Sequence, residues 1–287
     1  MYPVLLSLGL IKIYTFGLFV ALAAVVAAFV IWREGYRKHF DQEKMVDFIL
    51  VLVVFGLIGA RGYYLLTHFS DFAKINPFYW FFIFHFPGLS FWGAVIGGLP
   101  GLFWFSKRNH LPFWELGDIL VLGLSLAEAI SRLGAFFSGS AYGIVSGLPW
   151  SVPMVGLLGK REPVQIYESL VSFVIFIIIV KIIRERRKEG SAAISYLLLL
   201  SLSKFALEFL RGDSVYFFGW RINQIVSLIF ILISIILIYK RRIMFKFPIN
   251  LLKPIEAFLK KEKAETEHNM ADLTKEDPFA DTDRLTD

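Results

Sequence analysis

A set of ionisable side chains lies in stretches apolar enough to sit in lipid: Arg61, Glu115, Asp118, Glu128, Arg132, Glu168, Lys204, Glu208 and Arg211. Arg132 carries the most information, because it follows the apolar run 119–127. A guanidinium in a membrane-spanning helix costs about 2.5–3.5 kcal/mol on insertion scales. A chain keeps such a charge where it meets a partner, water or a charged ligand. The planar fork of arginine matches carboxylate and phosphate oxygens. Glu128 and Arg132 are spaced i,i+4, as are Lys204 and Glu208, and Glu208 and Arg211 are spaced i,i+3, so each pair is expected to share a helix face. One pair alone is explained by mutual neutralisation. Charges on several helices point instead to a polar interior that holds a pathway or a site.

The elements that carry these charges must be membrane helices. The chain is 56% hydrophobic and 17% aromatic, with mean hydropathy +0.62. Backbone polar groups in lipid must be satisfied internally, so apolar runs of this length imply helices and exclude alternating barrel strands. We read an all-α integral membrane protein of about seven spans, near residues 11–32, 46–66, 88–105, 113–138, 165–183, 192–211 and 222–239. The first run is too long for the core of a cleaved signal peptide. Arg33, Arg37, Lys38, Lys44, Lys107, Arg108, Lys181, Arg184, Arg186, Arg187, Lys188 and Lys240–Arg242 fall in alternate connections. The positive-inside rule then places the N-terminus outside and the C-terminus in the cytoplasm. Residues 1–245 form the membrane domain, with an aromatic interfacial arm over 67–87. Residues 246–263 read as a basic interfacial segment and 264–287 as a disordered acidic cytoplasmic tail. The net charge of +6 gathers at span ends, beside lipid headgroups, so no nucleic-acid partner is expected. There is no cysteine and the five histidines are scattered, so neither a metal site nor a cofactor is expected. Gly93, Gly97 and Gly101 make a small-residue stripe, read first as close helix packing and second as a lipid path.

The order of motifs resembles the prolipoprotein diacylglyceryl transferase family over residues 5–245. Tyr14-Thr15-Phe16-Gly17 resembles the family's Tyr-x-x-Gly at the start of span one, and Gly59-Ala60-Arg61-Gly62-Tyr63 its Gly-Ala-Arg-x-Gly-Tyr. Ser90-Phe91-Trp92-Gly93 resembles Ser-Phe-His-Gly, and Asp118 with Arg132-Leu133-Gly134 the Asp…Gly-Arg-x-Gly-Asn signature. Gln165-x-Tyr167-Glu168 matches Gln-x-Tyr-Glu, Lys204-Phe205-x-x-Glu208-x-x-Arg211 resembles Arg-Phe-x-x-Glu-x-x-Arg, and Gln224 fits the glutamine opening the last span. The resemblance implies transfer of the diacylglyceryl group of phosphatidylglycerol to a lipobox cysteine thiol in a prolipoprotein signal peptide, at the bacterial inner membrane, without a cofactor. It assigns Arg61, Arg132, Gly134, Lys204, Arg211, Gln165, Glu168 and Gln224 to the phospholipid, and Arg132, Glu208 and Tyr14 to catalysis, with Glu162, at the place of a family histidine, taking a relocated catalytic role.

The chain departs from the family pattern at several points. Trp92 replaces a histidine, Ala135 an asparagine, Ser138 and Ser140 an asparagine and a glutamate, Glu162 a histidine and Lys204 an arginine. Indole is a donor only and cannot take a proton. Either Glu162 or His85 takes the thiol proton in its place, or the chain is a silent homologue that binds phospholipid or precursor. A transporter is the third reading, and the lack of an inverted repeat speaks against it.

Overall fold

The computed structural model describes residues 3–8, 11–72, 88–154, 156–185, 187–214, 216–217 and 219–243. The expectations for most of the arm at 67–87, for His85, and for 246–263 and 264–287 fall outside these residues. The described elements are β1 (Val4–Leu8), β2 (Ile11–Tyr14), α1 (Thr15–Arg37), α2 (Gln42–Thr67), the single turn α3 (Phe69–Phe72), α4 (Phe91–Asn109), α5 (Phe113–Ser138), β3 (Val152–Pro153), β4 (Lys160–Arg161), α6 (Val164–Arg184), α7 (Ser191–Leu207), a 3-10 turn (Glu208–Leu210), β5 (Tyr216–Phe217), β6 (Trp220–Arg221) and α8 (Ile222–Arg241). The chain is an all-α integral membrane protein, with three small antiparallel hairpins in its connections among the described residues.

Among the described residues, six helices are long and apolar enough to cross a membrane: α1, α2, α5, α6, α7 with its 3-10 turn, and α8. The expected third span, α4, has 19 residues but is not in this set. Its glycines, Pro100 and the terminal Ser-Lys-Arg-Asn dilute its apolar character. The first span also starts later than the sequence suggests. Ile11–Tyr14 pairs with β1 as a strand, as its alternating β-branched residues favour. The helix begins at Thr15 and runs on to Arg37.

The solvation pattern is inverted relative to a soluble protein. Val25, Ile58 and Ile236 face outward, while Glu128, Glu168 and Glu208 are buried. Apolar side chains facing out and carboxylates facing in suit a lipid solvent. Met45, Phe48, Phe105, Leu116 and Ile119 pack between α2, α4 and α5. Val121, Leu122, Ile179, Tyr196 and Leu200 pack between α5, α6 and α7.

The glycine stripe is a packing surface. A Cβ on Gly59 would collide with the Gly93 carbonyl oxygen, and one on Gly97 with that of Phe55. The backbones of α2 and α4 therefore touch directly, which only glycine permits. α2 fills this face, as the first of the two sequence readings expects.

The basic residues of α1, α4, α6 and α8 fall in their last turns. Contacts tie several of them into one end of the bundle. Lys38 pairs with Glu115 at 3.1 Å, Lys188 Nζ donates to the Arg241 carbonyl at 2.9 Å, and the Arg241 guanidinium stacks over Trp114 at 4.1 Å. Asp118 belongs to this end. Its carboxylate accepts from the backbone N–H of Gly190 and of Ala193, both at 2.8 Å. These donors open α7 and have no partner within that helix. Asp118 is thus a capping carboxylate supplied from α5. Asp118→Ala is expected to cost about 1–2 kcal/mol of stability, read as a lower thermal midpoint in detergent, with Asp118→Asn falling between. An unchanged midpoint for Asp118→Ala would remove this capping role.

Candidate functional site

The buried charges gather at the end of the bundle opposite the basic turns. Their hub is Glu168, one turn into α6 and 2% exposed. One of its carboxylate oxygens lies 3.0 Å from Arg132 Nη1. The other lies 3.2 Å from Arg211 Nη1 and 3.6 Å from Lys204 Nζ. Glu128 is the second buried carboxylate. It lies 2.7 Å from Lys204 Nζ and 3.7 Å from Arg132 Nη2, and accepts from Tyr196 Oη at 3.4 Å. Arg211 also forks onto Asp213, with Nε to Oδ1 at 2.9 Å and Nη2 to Oδ2 at 2.8 Å.

The pairing keeps the intrahelical Glu128–Arg132 pair and corrects the other two. Lys204 meets Glu128 and Glu168 rather than Glu208, and Arg211 meets Glu168 and Asp213 rather than Glu208. The cause is local. The α-helix stops at Leu207 and tightens into the 3-10 turn, so Arg211 takes an extended backbone, with φ −81° and ψ 135°. The connection after α5 holds it there. Ile144 N–H donates to the Leu210 carbonyl and Gly212 N–H to that of Tyr142, both at 3.0 Å. The two segments approach so closely that a Cβ on Gly212 would lie 2.5 Å from the Gly143 oxygen.

The cations differ in what they leave open. The side chain of Arg132 is 20% exposed, Arg211 15% and Lys204 12%. Arg211 is bound on both faces of its fork, whereas Arg132 rests on α6 and α5 and keeps the largest open share.

Glu208 stands beside this cluster, 3% exposed. Both its oxygens accept from Asn223 Nδ2, at 3.3 and 3.1 Å, and its carbonyl accepts from Arg221 Nη1. Among the described residues it forms no ion pair within 4.0 Å. Asn223 Oδ1 in turn accepts from Trp92 Nε1 at 3.4 Å, and Trp92 stacks on Phe230 with ring centroids 5.0 Å apart.

The remaining sequence-derived residues divide. Gln165 is fully buried one turn before Glu168. Its Nε2 donates to the Ala141 carbonyl, while its Oε1 has no hydrogen-bond partner among the described residues. Gln224 Nε2, next to Asn223, likewise has none. Arg61 of α2 is buried, with Nη1 donating to the Gly88 carbonyl ahead of α4 at 3.0 Å and its guanidinium over Phe72 of α3 and Tyr64. Gly134 meets Phe19 of α1, whose side chain occupies the place a Cβ would need, so its visible contact is helix packing. Tyr14 ends β2 and is 58% exposed. It stands apart from the ion pairs.

Glu162, on the connection before α6, takes no part in these ion pairs among the described residues. Its carboxylate accepts from Tyr167 Oη at 2.8 Å, and Tyr167 accepts from Trp150 Nε1 at 2.7 Å. Hydrogen bonds from Ser146 and Tyr167 hold its carboxyl below the usual carboxylate range. A carboxylate stabilised in its charged form is a weaker base.

Sequence reasoning missed Asp213, Asn223 and Tyr196. Asp213 had a signal, since Arg211-Gly212-Asp213 reads as a tight turn that can bring the two charges together. Tyr196 lies eight positions before Lys204, on the same face of α7. Asn223 had none beyond its place beside Gln224.

The family model described as "Prolipoprotein diacylglyceryl transferase" matches residues 3–240. The chain belongs to this family. Among its relatives, a protein of Clostridioides difficile named phosphatidylglycerol–prolipoprotein diacylglyceryl transferase is 30% identical over 226 residues, covering 79% of this chain and 90% of the relative. A Listeria innocua protein of the same name is 30% identical over 251 residues, covering 84% and 90%. One from Synechococcus elongatus is 29% identical over 248 residues, covering 82% and 85%. The family match spans α1 to α8 and includes every element that supplies the charge cluster.

Proposed function

We propose that this protein transfers the diacylglyceryl group of phosphatidylglycerol to the thiol of a lipobox cysteine in a prolipoprotein, within the bacterial cytoplasmic membrane. The observation that carries this reading, beside the family, is the open side of Arg132 in a cluster whose other cations are held from several sides. The lipid phosphate approaches Arg132, with Arg211 and Lys204 behind it. Glu128 and Glu168 keep those cations in place. Gln165 Oε1 and Gln224 Nε2 supply a buried acceptor and donor for the polar atoms of the headgroup, and Arg61 and Tyr14 contact the lipid and peptide nearer the opening. The bundle lies with its basic end in the cytoplasm, and α4 completes seven crossings.

The thiolate is the attacking form of cysteine. Its sulfur bonds to the carbon of the diacylglyceryl group that carries the phosphate, and the bond from that carbon to the phosphate oxygen breaks. Glycerol phosphate leaves with the electron pair, and the thiol proton passes to a base. Charge grows on the departing phosphate as the bond breaks, so fixed cations stabilise the transition state more than the bound lipid. Glu208 is the base that the arrangement favours. Glu128 and Glu168 are neutralised by cations, and Glu162 is stabilised as an anion by its donors.

A second reading, a silent relative that binds lipid without turnover, draws on Trp92, which stands where the family places a histidine. One assay separates the two. The purified protein in phosphatidylglycerol vesicles, given a lipobox peptide, is expected to yield a peptide heavier by one diacylglyceryl group, together with free glycerol phosphate. No product beside an active control enzyme would overturn the transferase reading, and retained lipid binding in that case would establish the silent one.

A further inference from the structure

We propose that Asn223 is a positioning residue for Glu208, locked in one orientation by the indole of Trp92. The inference rests on the transferase reading and adds to it a device specific to this chain. Three separate elements converge here: Trp92 on α4, Asn223 on α8 and Glu208 at the end of α7. Trp92 Nε1 can only donate, so it faces the amide oxygen, here at 3.4 Å. The Glu208 carboxylate can only accept while ionised, so it faces the amide nitrogen, at 3.3 and 3.1 Å. Both partners therefore select the same amide orientation, and neither tolerates the flipped one. An amide held from one side alone could turn and present its oxygen to the carboxylate.

The indole is itself fixed. It stacks on Phe230, about two helical turns along α8 from Asn223, with ring planes only 11° apart. Among the described residues, Asn223 is the one hydrogen-bond donor to the Glu208 carboxylate. The carboxylate's direction is thus set by a neutral group that leaves its charge intact. A cation in that place would neutralise it, as Lys204 and the arginines neutralise Glu128 and Glu168. The tryptophan then has a task that its ring chemistry permits: it handles no proton and fixes the group that orients the acceptor.

A double-mutant cycle in the vesicle assay tests this, with kcat and KM measured separately. Asn223→Ala is expected to lower kcat roughly ten- to a hundredfold, the usual result of a misaligned reacting group, with KM for phosphatidylglycerol changed little. Trp92→Phe keeps the ring stack and loses only the N–H, and is expected to lower kcat about fivefold, the worth of one neutral hydrogen bond. Because the indole acts through the amide, the double variant should be no slower than Asn223→Ala alone. Unchanged kcat in Asn223→Ala, or multiplying effects in the double variant, would overturn the inference while the transferase reading stands. An inactive unmutated protein would overturn both. Thermal midpoints of the variants separate misfolding from misalignment. If Asn223→Ala unfolds, Asn223→Leu supplies the decisive measurement. It keeps the volume but removes the donor, and kcat equal to the parent would overturn the proposal.

Discussion

Glu168→Gln is expected to destabilise the protein by about 3–5 kcal/mol, the cost of breaking a buried charge pair by removing one partner, and to abolish transfer. The hub carboxylate faces Arg132, Arg211 and Lys204 within 4.0 Å. Glutamine keeps its volume and removes its charge. Glu128 and Asp213 would then remain to balance three cations, and Arg132 and Arg211 would each lose a partner in a largely buried site. Isolated surface pairs lost in this way cost far less, about 0–1 kcal/mol, so the size of the effect reports burial. Thermal unfolding in detergent gives the measurement. A midpoint indistinguishable from the parent's would show that the cluster contributes nothing to stability and that its cations are held by other contacts.

Arg132→Ala is expected to act the other way round, with a large loss of turnover and a smaller loss of stability. Its guanidinium has the most open side chain of the three cations, and Glu168 keeps Lys204 and Arg211 when it is gone. Removing one fixed donor from a developing anion costs about a hundred- to a thousandfold in turnover. Arg132→Lys retains the charge and loses the fork. It should restore most of the stability and only part of the rate. Product formation by Arg132→Ala at a rate near the parent would mean that the phosphate is bound elsewhere.

Much of this site is legible in the sequence, and the reason is energetic. A charge inside an apolar run is costly in any fold, so Glu128, Arg132, Glu168, Lys204, Glu208 and Arg211 stand out from their neighbours by residue type alone. The order of their motifs also points to the family. Which charge meets which is not legible. Spacing within one helix suggests Lys204 with Glu208 and Glu208 with Arg211. The fold pairs residues across helices because the helix ends at Leu207, where Leu210 and Gly212 bond to Ile144 and Tyr142 on a distant connection. No local pattern around residues 204–211 encodes those bonds. The start of α1 is misread for a related reason. Ile11–Tyr14 is apolar enough for a span, yet its alternation and its pairing with Val4–Leu8 make it a strand.

The interhelical pairing constrains how the chain is made. α5 emerges during synthesis before α6 and α7, carrying Glu128 and Arg132 while Glu168, Lys204 and Arg211 are still to be added. At that moment its charges have only each other, across the 3.7 Å contact that is the longest in the finished cluster. That i,i+4 pair is the one contact of the cluster that lies within α5 alone. The contacts of Arg132 with Glu168 and of Glu128 with Lys204 need α6 and α7 in place. The polar interior is therefore complete only when α5, α6 and α7 lie side by side, and no one of these helices carries the finished cluster alone.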